Sequence, residues 1–360
     1  MTTTHDLARD RSALQMINPS PYNAEAPPEA LQGETTPTEL HYVRSNFAVP
    51  SHDGTLEIGG AVERPITLTL DDLRAMPAVE RAVTLECAGN GRLEMRPLPI
   101  GEPWGDFAVS TASWKGALLH EVLALAGPTS DGVDVRFEGA DSGPYHLHPI
   151  LANTNKDDLT FIRSLPLALT THPSAEILIA YEMNGEPLLP DHGAPFRIIV
   201  PHWFAVASVK WLRRIDVLTS PYTGEFQTGH YIYEWPDRPH EPVTLMRVRA
   251  RITDPSAGAV LPLGTHTIRG KAWSGTGPIT RVDVGLTGEG DWLPAKLEPT
   301  KGPYQWQDWS FDWTPDHIGR HTLRARATDA AGNVQPEVPP WNRLGYGNNA
   351  VELIYVDVVE

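Results

Sequence analysis

The chain has one cysteine, Cys87, and it follows a β-branched run, Val83-Thr84-Leu85-Glu86, where the sequence passes into Ala88-Gly89-Asn90-Gly91-Arg92. This composition reads as a strand running into a loop of small residues, which puts the sulfur where a backbone leaves a sheet. Two glycines and an alanine let another molecule approach the main chain, while Arg92 can set a cation beside the sulfur and favour its thiolate. A thiolate is what both a nucleophile and a soft-metal ligand require. The plain alternative is a small buried hydrophobe. As a nucleophile, Cys87 would need a base from among the 14 histidines, which would make the protein a cysteine hydrolase. His146-Leu147-His148 sets two imidazoles on one side of a strand, a spacing found in metal sites, but Pro144 and Pro149 bracket it as a turn and no third ligand stands nearby. Taken alone, Arg197 before Ile198-Ile199-Val200 reads as the outward end of a buried strand, and Lys210 as a solvated charge.

The 360 residues suffice for two domains, or three, at roughly 100–200 residues each. With 41 % hydrophobic and 21 % charged residues the composition is that of a folded globular protein. Its 30 glycines and 34 prolines favour short strands and long loops. A formal charge of −16 repels a phosphate backbone and argues against nucleic acid as partner. No apolar run reaches the roughly 18–20 residues that span a bilayer, so no membrane partner is expected. Met1 to Glu39 shows neither a secretion signal nor a twin-arginine pair, so the cytoplasm is the expected compartment, or the periplasm if a leader has been removed. A single cysteine excludes an internal disulfide. Residues 1–40 lack a sustained period and read as an arm on the surface. From His41 to about Arg238 short apolar runs mix with helical stretches, an α+β pattern; one such stretch runs from Ala117 to Ala126, with Leu118, Leu119, Val122 and Leu125 on its apolar face. The proline-rich stretch Pro236 to Pro242 marks a domain boundary. Over 239–360 the pattern is alternation: Val282, Val284 and Leu286 against Arg281 and Asp283, and Leu323, Ala325 and Ala327 against Arg324 and Arg326. This predicts an all-β, immunoglobulin-like sandwich.

The Cys87 segment resembles the molybdenum-binding loop of the sulfite oxidase family of molybdopterin enzymes, in which the Cys of a C-A-G-N-x-R run is the thiolate ligand to molybdenum. His41 to Pro50 is similar to the family's F-x-R-N-H-x-P-V-P segment, and this assigns Arg44 to the anion pocket and sets Asn46 in place of the family's His, as an altered hydrogen-bonding group on the cofactor beside the metal. Gly101-Glu102-Pro103-Trp104, followed by Trp114-Lys115-Gly116, resembles the pocket Trp and the W-x-G turn, and Trp104 then walls the substrate site. Three further blocks, Ala180 to Leu188, Asp191 to Arg197 and Ser208 to Leu212, look like the stretches that line the molybdopterin. The resemblance gives Tyr181, His192, Arg197 and Lys210 to the cofactor, the last three to its phosphate and pterin ring. Gln227-Thr228-Gly229-His230-Tyr231 resembles a Q-x-x-D-Y run whose Tyr bonds at the metal site, with His230 in place of Asp; Tyr231 is the candidate and Tyr233 its neighbour. Over 239–360 the chain looks like the family's dimerisation domain. It departs at Asn342-Arg343-Leu344-Gly345, where the family's sulfite oxidases carry N-L-R-G with an Arg in the anion pocket; here Leu344 holds that position, as the eukaryotic nitrate reductases also lack the Arg.

The resemblance implies a homodimeric oxidoreductase with a molybdenum-molybdopterin cofactor held by Cys87, performing oxygen-atom transfer. Sulfite oxidised to sulfate is the leading substrate, and reduction of nitrate, another oxyanion or a sulfoxide is the alternative. Arg44 and Arg92 suit a small oxyanion because a guanidinium donates two parallel bonds and stays charged when desolvated. The chain has no C-x-x-C-H, no H-P-G-G and too few cysteines for an iron–sulfur cluster, so no haem is expected in it and the electron acceptor is external, a cytochrome c or dioxygen. A non-enzymatic reading makes the sandwich a binding module, with Trp306, Trp309 and Trp313 as its recognition surface.

Overall fold

The computed structural model describes residues 11–145, 156–287 and 290–360; His146 and His148 lie outside them. From residue 11 on, the segment expected as a surface arm is instead built into the protein. It opens with a hairpin of β1 (Gln15–Pro19) and β2 (Tyr22–Glu25), and Ala24 exchanges both backbone hydrogen bonds with Val43 at 2.9 and 3.0 Å. Asn23, Ala24, Ala26 and Leu31 are fully buried. Small apolar residues scattered in this way fill gaps in a core without producing a period.

Two sheets form the first domain. In one, β5 (Ala78–Glu86), β6 (Val109–Leu118) and β9 (Leu178–Met183) run antiparallel, with β10 (Glu186–Pro187) and β11 (Arg197–Ile199) both on β9. The other is ordered β4 (Ile66–Thr69), β3 (Thr55–Gly60), β12 (Leu212–Leu218), β7 (Asp134–Tyr145), β8 (Lys156–Pro166). Helix α1 (Leu70–Ala75) starts on a capping box in which Thr69 and Asp72 bond each other's amides. Helix α2 (Leu119–Ala126) buries Leu119, Val122 and Leu123 and stops at Gly127 in the left-handed region. Leu125, expected on its apolar face, is 42 % exposed, because the helix starts at Leu119 and the 3.6-residue turn brings Leu123 inward instead.

The proline-rich boundary is a tight return, closed by β13 (Ile232–Tyr233) pairing with β14 (Glu241–Pro242). Beyond it comes the expected sandwich. One sheet is β15 (Arg249–Asp254), β17 (His266–Trp273), β21 (Gln307–Trp313), β20 (Lys296–Leu297); the other is β16 (Val260–Pro262), β23 (Glu352–Val359), β22 (Gly319–Asp329), β18 (Ile279–Gly285), β19 (Trp292–Pro294). Val282, Val284, Leu323, Ala325 and Ala327 meet Trp309 and Trp313 in its core, while Arg324 and Arg326 lie over Trp292 at 4.6 and 4.3 Å. Trp306, Trp309 and Trp313 are all buried, so they form no recognition surface. Trp273, Trp306, Leu344 and Tyr346 join the core of the first domain, so the boundary in sequence is not a boundary in packing.

Candidate active site

Cys87 is the first residue past β5, and its amide donates to the Ala108 carbonyl at 2.8 Å, so the sulfur is fixed at the sheet's end. The chain then turns: the Asn90 amide donates to the Cys87 carbonyl at 2.9 Å, and Asn90 Oδ1 accepts from the Ala108 amide at 3.0 Å. At Gly89 a Cβ would lie 2.8 Å from Arg92 Nη1 and 2.9 Å from Trp104 Cδ1. The small residue is there to admit this chain's own guanidinium and indole. Burial pushes the Cys87 thiol up, and Arg44 and Arg92 pull against that shift.

Two cavities meet at Cys87, and both are also lined by Arg44, Asn46 and Tyr231. The inner one, about 670 Å³ counted out to its mouth, draws His192, Arg197 and Lys210 together with Ser45, Ser208 and Trp211. Arg197 donates to the carbonyls of His192 at 3.1 Å and Ser208 at 2.8 Å, and Lys210 Nζ donates to Ser45 Oγ at 2.7 Å and the Asp191 carbonyl at 2.9 Å. His192 Nε2 lies 3.2 Å from the Thr38 carbonyl. Burial pushes Arg197 down to about 10, and burial followed by Arg197 pushes Lys210 down to about 7. Burial likewise raises Asp141 to about 7, with Lys210 pulling against it. Arg197 Nε and Asp141 Oδ1 are buried with no hydrogen-bond partner. Two buried cations held by neutral carbonyls and hydroxyls, with unused polar atoms beside them, fit a group that is anionic at one end and polar at the other. A molybdopterin is such a group: Arg197 and Lys210 would hold its phosphate, Asp141 and His192 polar edges of its ring, and Cys87 its metal.

The outer cavity, about 1180 Å³ on the same measure, is lined by Arg92, Trp104, Tyr145, Tyr346 and Glu102, with Asn18 from β1 and Ser20 from the turn after it. Arg92 Nε donates to the Leu344 carbonyl at 3.0 Å and Nη1 to the Glu102 carbonyl at 2.7 Å, with its guanidinium 5.0 Å from the centre of the Tyr346 ring. Arg44 Nη2 donates to Asn46 Oδ1 at 2.6 Å and the Tyr231 hydroxyl at 3.2 Å, and that hydroxyl donates to Asn46 Oδ1 at 3.2 Å. Asn46 thus serves as an acceptor for both neighbours. Burial opposes the charge on Arg44, but Tyr231 and Cys87 offset this and hold its pKa above the ordinary value.

Tyr181 does not belong with the others. It sits on β9 buried in the core, lines neither cavity, and turns toward α1, where Arg74 is 5.9 Å from its ring centre. Tyr233 also lines neither cavity and stacks on Trp235. His230 packs 4.9 Å from the Tyr145 ring, with Nδ1 2.8 Å from Glu225 Oε1. Leu344 is buried in the core, with only its carbonyl engaging Arg92, and Arg343 is tied to Glu234, so Arg343 does not replace the missing pocket cation. Asp141, Tyr145, Tyr346 and Asn18 were not legible as site residues. The one signal was Gly139-Ala140-Asp141, small residues at an acid inside a strand: a Cβ at Gly139 would lie 2.4 Å from Asp141 Oδ1.

A buried thiol between a cation-lined inner cavity and an arginine-bearing outer one, in an α+β domain backed by a β-sandwich, defines an oxidoreductase of the molybdopterin-binding class. Residues 46–226 match the oxidoreductase molybdopterin binding domain and 240–358 the Mo-co oxidoreductase dimerisation domain. The chain belongs to the sulfite oxidase family of molybdopterin-dependent oxidoreductases. It is 36 % identical to the mitochondrial sulfite oxidase of Mus musculus over 373 residues, 96 % of this chain and 66 % of that protein. It is likewise 36 % identical to NADH nitrate reductase 1 of Oryza sativa subsp. japonica over 392 residues, 98 % of this chain but 42 % of that one. The chain therefore spans about two thirds, or less than half, of these relatives' lengths. The sulfite oxidase of Gallus gallus is 35 % identical, with 92 % of this chain and 75 % of that protein covered. Among solved structures, the sulfane dehydrogenase SoxCD from Paracoccus pantotrophus matches with a TM-score of 0.82 and 27 % identity, covering 99 % of this chain and 93 % of that one.

Proposed function

We propose that this chain, with molybdenum-molybdopterin in the inner cavity, oxidises sulfite to sulfate: sulfite and water give sulfate, two protons and two electrons, and the electrons go to an external acceptor. The observation that carries this reading is the pair of guanidiniums, Arg44 and Arg92, in a cavity that shares the Cys87 wall. When bound, the cofactor supplies a two-electron redox centre able to accept or donate an oxygen atom. The protein's part is binding and orientation. Arg44 and Arg92 hold a doubly charged oxyanion within a chain whose net charge of −16 repels it. Trp104, 1 % exposed, closes the wall behind Arg92 against water. The Tyr231 hydroxyl, whose proton lies on Asn46 while it accepts from Arg44, is a fixed hydrogen-bonding group at the junction of the cavities.

A second reading, nitrate reduction, is favoured by one observation: Leu344 leaves the outer cavity without the third cation of the family's sulfite oxidases. Steady-state assays of sulfite with ferricyanide, run beside nitrate with a reduced dye, separate the two, and turnover with nitrate alone overturns the first. Cys87→Ser is expected to keep the fold and lose turnover; a variant that keeps its molybdenum and near-normal rate removes Cys87 as ligand. Residues 240–358 support a homodimer, which light scattering of the purified protein would read as about twice the 39.6 kDa chain mass. Its compartment is proposed as the cytoplasm, tested by fractionation.

A further inference from the structure

Away from both cavities, the turn that joins β21 to β22 and the start of β22 bring together Asp316, His317 and His321. Their ligand atoms lie within 4.8 Å of one another, and among the described residues no other group of three or more His, Cys, Asp or Glu converges in this way. His321 is the fixed member: it is 8 % exposed, edge-on to Trp313 at 5.2 Å and 4.2 Å from the ring of His317. Its Nε2 lies 2.8 Å from the His317 carbonyl oxygen. A carbonyl only accepts, so Nε2 carries the proton and the other ring nitrogen keeps its lone pair. A backbone carbonyl acting on the far nitrogen is how metal-ligating imidazoles are oriented. The other two members are adjustable. His317 Nδ1 is 2.6 Å from Asp316 Oδ1, and these side chains are 61 % and 88 % exposed. The exposed Asp316 carboxylate thus faces the two rings.

We propose that Asp316, His317 and His321 form a second metal site, taking one borderline divalent transition-metal ion of the Zn²⁺ or Cu²⁺ type through two imidazole nitrogens and one carboxylate oxygen. Two nitrogens among three ligands disfavour Mg²⁺ and Ca²⁺, which seek oxygen shells. Around a tetrahedral Zn²⁺ with bonds of roughly 2.0–2.2 Å, ligand atoms stand about 3.3–3.6 Å apart. Closing from 4.8 Å therefore needs a rotation of about 1 Å by side chains that are mostly in water. Three protein ligands leave the fourth position to water. The cluster belongs to the sandwich, whose core is separate from that of the first domain, so the site is independent of the molybdenum reading.

The test titrates EDTA-washed, molybdenum-loaded protein with Zn²⁺, followed by calorimetry and by the thermal midpoint. We expect one Zn²⁺ per chain at micromolar concentration and a midpoint that rises as it binds. His317→Ala and Asp316→Asn should each weaken binding tenfold or more, leaving molybdenum content and the metal-free midpoint unchanged. His321→Ala removes a packed ring and is not needed for the test, because the two exposed variants leave the fold intact. Zn²⁺ that binds only at millimolar concentration, or binds both variants as tightly as the parent, overturns the proposal.

Discussion

Arg92 touches three groups at once, the Leu344 carbonyl, the Glu102 carbonyl and the Tyr346 ring, and a lysine has neither the fork nor the planar face to reproduce them. Arg92→Lys is expected to raise KM for sulfite about tenfold or more with a smaller fall in kcat, read from steady-state kinetics; an unchanged KM takes Arg92 out of anion binding. Lys210 gives a test in the cofactor-free protein. Its folded-state pKa is pushed down to about 7, far below an unfolded lysine. Below about pH 7 both states hold the proton; above it only the unfolded state does, so stability climbs as pH rises from about 7 toward the ordinary lysine value. We expect the urea midpoint of the cofactor-free protein to rise over that window and Lys210→Met to flatten the rise. Cys87, Arg44, Arg92, Arg197 and Lys210 were legible because each sits in a short run whose neighbours also matter. Asp141 and Tyr346 reach the site through β7 and the segment after Leu344, and no local pattern announces a residue that topology delivers. Tyr181 failed for the converse reason: no residue of its block, Ala180 to Leu188, lines either cavity, and its ring packs in the core beside Arg74 of α1.

The end of β5 is buried on both sides, and this ties the Cys87 loop to the second domain. Val83 and Leu85 pack in the first core, while Glu86, immediately before Cys87, accepts from Arg249 at 3.1 Å, Trp273 Nε1 at 2.9 Å and Asn90 Nδ2 at 2.9 Å. The Gly347 amide donates to the Ala88 carbonyl at 2.7 Å, and Asn348 Nδ2 to the Gly91 carbonyl at 2.6 Å. Arg249 also reaches Asp106 at 2.6 Å, and its side chain is 4 % exposed. Arg249→Met leaves the buried Glu86 carboxylate without its cation and the partly exposed Asp106 with Arg251 alone, and is expected to lower stability by about 3–5 kcal/mol, seen as a shifted urea midpoint. Arg343→Met, which removes an exposed pair with Glu234, should cost no more than about 1 kcal/mol. Equal losses would mean that the junction around Glu86 is not the firmer contact. At this scale the sandwich was legible, since period-two alternation with one apolar face survives any register. The hairpin of residues 15–25 was not: its burial comes from Asn23, Ala24 and Val43 meeting across distant segments, a fact about tertiary pairing and not about local propensity.

Net charge governs what can reach the molecule, and here it acts in opposite directions on different acceptors. The chain carries −16, so its long-range field repels anions and attracts cations, and salt screens both over a Debye length of roughly 10 Å at 0.1 M. In the proposed reaction sulfite would be held at the end of its path by the half-buried Arg44 and the buried Arg92, which bulk salt screens less than the surface, whereas an electron acceptor would meet the outer surface. With ferricyanide, an anion, we expect sulfite-dependent turnover at limiting acceptor to rise as ionic strength goes from about 0.02 to 0.5 M. With a basic cytochrome c it should fall several-fold over the same range, because steered association between opposite charges is what salt removes. Dioxygen is uncharged, so its rate should not move. The three acceptors thus share one substrate half-reaction and differ only in the sign of the encounter. A cytochrome c rate that is flat or rises with salt would mean that the docking face is not governed by the chain's overall charge.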